Sequence, residues 1–226
     1  MFKIHAFFAP VTIALFIMAL FTINSEASFA EDAPKYAAGE YAYNVMRNGT
    51  QIGTYVFDVQ HQDDMVVMDV KMDIEVKLLF ASVYNAHFKG KKFYKNGELV
   101  KARGEGDFNG KVSEFKYDSS TSTLVRNGDK SHIEHEVVML KPFMPHDIKG
   151  TYVGLSEKGK HYKSHFDDHG MVKKKSGIKF KKFHKLSFTS DIKRDLFYTP
   201  EGILHSLSYE KDGDDITFER QHESKY

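Results

Sequence analysis

The chain has 226 residues, carries 32 Lys and Arg against 31 Asp and Glu, and contains neither cysteine nor tryptophan. A net charge of +1 excludes a dominant nucleic-acid surface. The absence of cysteine excludes disulfides, thiolate chemistry and the lipidated cysteine of a lipoprotein anchor.

The first thirty residues read as a signal peptide. Lys3 and His5 give a short basic start, Ala6 to Ile23 is apolar apart from Thr12 and Thr22, and Ser28-Phe29-Ala30 offers small residues at the two positions a signal peptidase reads. Ser25-Glu26-Ala27 is a second cleavage candidate, and an uncleaved anchor is the competing reading. The expectation is cleavage near Ala30, a periplasmic or secreted protein, and a single β domain over residues 31–226.

Within that domain, Asn48-Gly49, Asn96-Gly97, Asn109-Gly110 and Asn127-Gly128 each separate runs of alternating apolar residues. Both residues of a tight hairpin turn need positive φ, which Asn and Gly adopt most cheaply, so each pair predicts a two-stranded hairpin. A two-residue turn at Asn48-Gly49 sets Arg47 opposite Thr50, Val45 opposite Ile52, Tyr43 opposite Thr54 and Tyr41 opposite Val56, with Met46, Tyr55 and Phe57 on the reverse face. Val66, Met68, Val70, Met72, Ile74 and Val76 alternate with mostly charged residues and predict one buried and one wet face. At Leu78, Leu79 and Phe80 the alternation breaks, which makes these residues a candidate ligand contact as well as a strand bend.

Strands are expected over residues 84–95, 98–108 and 111–117, and a shorter hairpin around Asn127-Gly128. Residues 136–154 lose the period and carry Pro142 and Pro145, which reads as a crossing loop with one helical turn. Residues 158–177 are ambiguous, and strands resume over 178–189, 194–199, 203–211 and 216–222. The fold class is therefore all-β, an antiparallel meander of about ten to twelve strands with little helix, curled into a barrel or half-barrel.

Tyr41-Ala42-Tyr43-Asn44-Val45 with Asn48-Gly49 and Ile52-Gly53, then residues 76–84 with His87, Asn96-Gly97-Glu98-Leu99 and Asn109-Gly110, resemble an exported bacterial family known as a domain of unknown function. Lys185-Leu186, Arg194-Asp195-Leu196-Phe197-Tyr198, Glu201-Gly202 and Ile216-Thr217-Phe218 are similar to that family's ending. The resemblance implies a periplasmic curved sheet, similar in outline to the half-barrels that carry lipoproteins. The family commonly has Trp where Phe93 or Tyr94 and Phe197 stand here, and residues 138–177 do not follow its pattern.

Two further groups of residues are candidate sites. His161, His165 and His169 are four apart, and on a helix would stack three imidazoles on one face, a set suited to zinc, copper or nickel. Lys173, Lys174, Lys175, Lys181 and Lys182, with Lys179 and Lys185, could meet an anionic surface, with Phe180, Phe183 and His184 interleaved. The competing role for these lysines is deterring aggregation at a strand edge. His132-Ile133-Glu134-His135 lacks the spacing of the zinc-protease motif, and Gly104-Glu105-Gly106 opens no helix and so is no dinucleotide loop.

The leading expectation is an exported, non-enzymatic β protein whose concave face binds an apolar or lipid ligand or an envelope component, without nucleic acid and with no cofactor. A metal-dependent enzyme using the histidines is the second reading. A small outer-membrane barrel is the third.

Overall fold

A computed structural model describes residues 37–78, 81–145, 150–176 and 179–221. Fifteen strands form one continuous sheet, more than the ten to twelve expected. They are β1 (Gly39–Arg47), β2 (Thr50–Gln62), β3 (Met65–Leu78), β4 (Ala81–Lys95), β5 (Glu98–Phe108), β6 (Val112–Asp118), β7 (Thr123–Arg126) and β8 (Asp129–His132). There follow β9 (Val137–Val138), β10 (Tyr152–Leu155), β11 (His161–Ser176), β12 (Lys179–Thr189), β13 (Lys193–Tyr198), β14 (Leu204–Lys211) and β15 (Asp214–Arg220). Among the described residues the one helical element is a 3-10 turn, Ser119–Thr121.

The order across the sheet is β8-β7-β6-β5-β4-β3-β2-β1-β15-β14-β13-β12-β11-β10-β9. The first strand pairs with the last, Val45 opposite Phe218, so two meandering arms share a central seam. All neighbours are antiparallel except the short β9–β10 pair. The Asn-Gly signals are realised at the backbone: φ is +49° and +79° at Asn48 and Gly49, and +51° and +88° at Asn96 and Gly97.

In the first hairpin the expected pairing is wrong by one residue beyond the turn. Arg47 does face Thr50, but a bulge between Val45 and Met46 absorbs Ile52, so Val45 faces Gly53, Tyr43 faces Tyr55 and Tyr41 faces Phe57. One inserted residue reverses the side of every residue that follows, because the strand period is two. Tyr55 and Phe57 therefore join Tyr41, Tyr43 and Val45 in the core instead of occupying the reverse face. Gly53 is needed where this happens: a Cβ there would lie 2.1 Å from the Asp73 carbonyl oxygen on β3.

The alternation on β3 is deepest at its middle, with Met68, Val70 and Met72 buried and Val66, Ile74 and Val76 partly so. Val67, expected on the wet face, is buried as well. The expected ambiguity over residues 158–177 resolves into β11, a sixteen-residue strand. Residues 133–145 cross the ends of the strands, with Ile133, Val137, Met139 and Phe143 in the core, while the crossing loop expected over 136–154 also takes in the start of β10 at Tyr152. That segment forms β9 and a bridge from Phe143 to Ile203; the Met144 amide donates to the Gly202 carbonyl at 2.8 Å and the Leu204 amide to that of Pro142 at 2.8 Å. No helical turn forms in its described part.

The outer face of β3 and β4 carries Asp69, Lys71, Asp73, Lys89 and Lys91, joined by the Lys91–Asp69 and Lys71–Asp73 ion pairs at 2.9 and 3.3 Å. A membrane-spanning barrel needs an apolar band on that face and a ladder closed on itself, whereas here β8 and β9 are the two ends of the sheet. The outer-membrane reading fails on both counts.

Val70→Asp should abolish cooperative thermal unfolding, since it buries an unpaired charge; an unchanged melting temperature would contradict the assigned core face. Gly53→Ala should lower stability by at least about 2 kcal/mol in denaturant titration, because the Cβ meets backbone that cannot retreat. The same change at Gly128, where φ is +89° and the added Cβ meets open space, should cost only about 1 kcal/mol.

Candidate functional site

The arms curl toward each other and meet at the turn between β10 and β11, residues 156–160. The Lys158 carbonyl accepts from Ser113 Oγ on β6 at 2.8 Å and from Arg126 Nε on β7 at 2.9 Å. Gly159 sits so close to Phe115 that a Cβ would lie 2.7 Å from it. Beside it, Tyr55 on β2 donates to Glu157 at 2.6 Å. These contacts join the two arms without a strand ladder, and the space between them is a cavity of about 530 Å³, partly open to solvent.

Its apolar wall includes Met72, Ile74, Phe108, Leu155, Phe166 and Phe188. Tyrosines from both arms, among them Tyr55, Tyr84, Tyr162 and Tyr209, add polar tips to apolar bodies. Charge is supplied by Lys141, Lys158, Lys160, Arg194 and Lys211 and by Glu98, Glu136, Glu157 and Asp191. Arg194 is held in place by Ser190 at 2.7 Å and Asp191 at 3.1 Å, with its guanidinium 5.6 Å from the Tyr209 ring centre. Burial, opposed by Arg194, pushes the Tyr209 hydroxyl up to about 12.

Two lysines fix the crossing segment to the sheet. Lys92 on β4 is 1% exposed; its Nζ donates to the Leu140 carbonyl at 2.8 Å and lies 5.3 Å from the Phe57 ring centre. Lys141 reaches the Gly97 carbonyl in the β4–β5 turn at 3.0 Å and lies 5.1 Å from the Tyr94 ring centre. Burial pulls both ammonium groups down to about 8, opposed for Lys92 by Glu157 and for Lys141 by Glu136. Lys158 is lowered too, first by burial and then by the neighbouring charges of Lys211, Lys160 and Lys111.

None of these residues was singled out by sequence reasoning. For Lys92 a signal was present: Ala86, Phe88, Gly90, Lys92 and Tyr94 fall on one face of β4, opposite Ile74, Met72, Val70, Met68 and Val66. A lysine in that rhythm must point into the core. Glu157 and Lys158 lie in a turn, and nothing local reveals that the turn faces inward.

The histidine triplet is not brought together. Residues 161–169 are a strand and not a helix, so each four-residue step spans about 13 Å. His165 lies 3.7 Å from Asp167, while His169 bonds Ser187 Oγ at 2.8 Å. Among the described residues no three His, Cys, Asp or Glu side chains are placed to hold a metal ion. Ser187 in turn donates to Asp195 at 2.7 Å, so its proton points away from the imidazole and the group is no nucleophile–base pair. Partial burial pushes the Asp195 carboxyl up, but hydrogen bonds from Lys185 and Ser187 outweigh it and hold the group below the usual range.

His132 closes β8, and Ile133 beside it is buried in the core. Leu79 and Phe80, and the side chain of Leu78, lie outside the described residues. Of the candidate lysines, Lys173, Lys175, Lys181 and Lys182 are exposed, whereas Lys174 is partly covered.

The fold and its interior define a barrel-like sheet protein with a partly open, mixed apolar and charged cavity. Residues 43–221 match the family described as Domain of unknown function (DUF6134), and the chain belongs to that family. No curated protein matches the chain. Among solved structures it is similar to the beta-barrel-like protein of Domain of Unknown Function DUF1849 from Brucella abortus. The two share 5% identity and a TM-score of 0.56, over 80% of this chain and 94% of the other. At that identity the likeness is one of fold alone.

The buried lysines predict an unusual pH dependence. Their folded pKa lies near 8, below the ordinary 10.5, so between these values the unfolded chain binds more protons than the folded one and stability rises with pH. From pH 7.5 to 9.5 Lys92 alone should add about 1–2 kcal/mol. Above pH 10 the trend should reverse, because Tyr43 and Tyr209 have hydroxyls pushed up by burial and resist ionising in the fold. Denaturant titrations across this range should show the rise, and Lys92→Met should reduce it to the share that Lys141 contributes. A slope unchanged in that variant would show that Lys92 is not buried charged.

Proposed function

We propose that this is an exported, non-enzymatic binding protein whose cavity takes up an elongated amphiphile, apolar along its body and anionic or neutral at its head. The observation that carries the reading is the cavity itself. Its volume of about 530 Å³ lies within the range of small-molecule sites, and its wall combines aliphatic and aromatic side chains with a few convergent polar groups.

The charge distribution supports the choice of head group. Lys158 and Lys160 come from one turn, Lys211 from the end of β14, and all line the cavity together with Arg194. Burial first, and then repulsion from Lys211, Lys160 and Lys111, lowers the proton affinity of Lys158, and an anion placed among these lysines would relieve the repulsion. Export rests on the apolar N-terminal run and the small residues around Ala30. An envelope compartment would supply such amphiphiles.

The test is uptake of a hydrophobic fluorescent probe by the folded protein, followed by native mass spectrometry and lipid extraction of material purified from the periplasm. Probe fluorescence should rise well below the melting temperature, and Ile74→Trp, which adds volume at the cavity wall, should reduce it several-fold while melting stays cooperative. Negligible uptake until thermal unfolding, with no extractable ligand, would overturn the reading and leave an interior filled by its own side chains.

A further inference from the structure

We propose that the far end of the β11–β12 hairpin is a docking surface for an anionic lipid membrane. This inference does not depend on the cavity and stands on a different set of residues.

β10 pairs only with the start of β11, His161 to Ser164, and β13 pairs with β12 no further than His184. Beyond those points, residues 171–176 and 179–183 have only each other as partners, a two-stranded ribbon projecting from the sheet. It begins at an irregularity between Asp168 and Met171, where Gly170 takes φ +64°. Cross-strand partners share a face, so the register divides the ribbon into two sides.

One side folds back on the protein. Phe183 is buried and stacks on His205 with ring centres 4.6 Å apart. Lys174 places its Nζ 3.8 Å from the Phe197 ring centre and donates to Ser206 at 3.1 Å. The other side presents Met171, Lys173, Lys175, Phe180 and Lys182. There Phe180 is 73% exposed and Met171 46%, two of the four large hydrophobic side chains left exposed among the described residues.

From residue 171 to 183 the ribbon contains Lys173, Lys174, Lys175, Lys179, Lys181 and Lys182 and no acidic residue. Asp168 at its base is already engaged by His184 at 2.6 Å. Lys173 faces Lys182 directly, and Lys174 faces Lys181. Like charges in opposed positions destabilise a ribbon, so a negative surface over the exposed Lys173 and Lys182 would stabilise it.

The edge-protection role accounts for the lysines, since a ribbon with two unpaired edges invites pairing with other chains. It does not account for Phe180 and Met171 on the same side, which would promote the association that the lysines deter. Cations ringing exposed apolar side chains suit a surface with anionic headgroups over an apolar interior. Nucleic acid would use the charge and leave Met171 unexplained.

Sedimentation of the purified protein with vesicles tests the proposal. It should bind vesicles containing phosphatidylglycerol, release them as salt rises, and ignore pure phosphatidylcholine. The combined K173Q, K175Q and K182Q variant should weaken binding at least about tenfold without lowering the melting temperature. Lysine-to-arginine changes at the same positions should retain binding, and Phe180→Ser should weaken it several-fold. Equal binding to neutral vesicles, no binding to anionic ones, tighter binding to single-stranded DNA, or the same loss from K116Q with K130Q on β6 and β8 would each overturn it. So would an unaltered affinity in Phe180→Ser, which would return the lysines to edge protection.

Discussion

The interior of this protein depends on one short turn. A sheet whose terminal strands do not pair has no ladder to hold its arms together, and twist alone sets how far they curl. Here the turn at residues 156–160 supplies the closure: one carbonyl, that of Lys158, receives a hydroxyl from β6 and a guanidinium from β7, and Gly159 lets Phe115 pack against its backbone. The adjacent Glu157 accepts from Tyr55 on β2 at 2.6 Å. Each such bond contributes on the order of 1 kcal/mol net, more where a charge takes part, so the closure is modest in energy and specific in geometry.

The space between the arms is not finished as a hydrophobic core would be. Lys92, buried, and Lys141, partly so, place their ammonium groups on backbone carbonyls and over aromatic rings, and burial lowers the proton affinity of both. Filling the same volume with leucine or methionine is often neutral or stabilising. What the lysines provide is placement. They attach the crossing segment at Leu140 and at the β4–β5 turn, fixing it across the ends of the strands where close packing would have erased the cavity.

The legible part of the fold was the local part. Asn-Gly turns and the Val70 row follow from backbone sterics and period, both of which operate over a few residues. The bulge at Ile52 was not legible, because it is settled by the packing of Tyr55 and Phe57 against Tyr43 and Phe218 rather than by the turn. β11 was hidden because the only large apolar side chains in its sixteen residues are Tyr162, Phe166, Met171 and Val172, at intervals that fit no period. The histidine spacing suggested a helix for the same reason: with no apolar rhythm to arbitrate, a four-residue interval can be fitted to either period. The cavity was out of reach altogether, since its wall joins Tyr55 to Glu157 and Met72 to Phe188 across more than eighty residues of chain. The lysines of the hairpin were visible as a charge run, but their division into a docked side and an open side needed the register.

The pairing directions relate the two proposed surfaces. β1 and β14 both start at the end of the sheet crossed by residues 133–145, since Phe143 packs on Tyr41 at 5.1 Å and bridges to Ile203. β13 ends at Tyr198 on that side, and β12, antiparallel to it, begins there, so the lysine ribbon projects from the crossed end. Lys158, Lys160 and Lys211 lie toward the opposite end, where β10 and β14 finish. A membrane bound by the ribbon would thus face the crossing segment and not the lysine-lined part of the cavity.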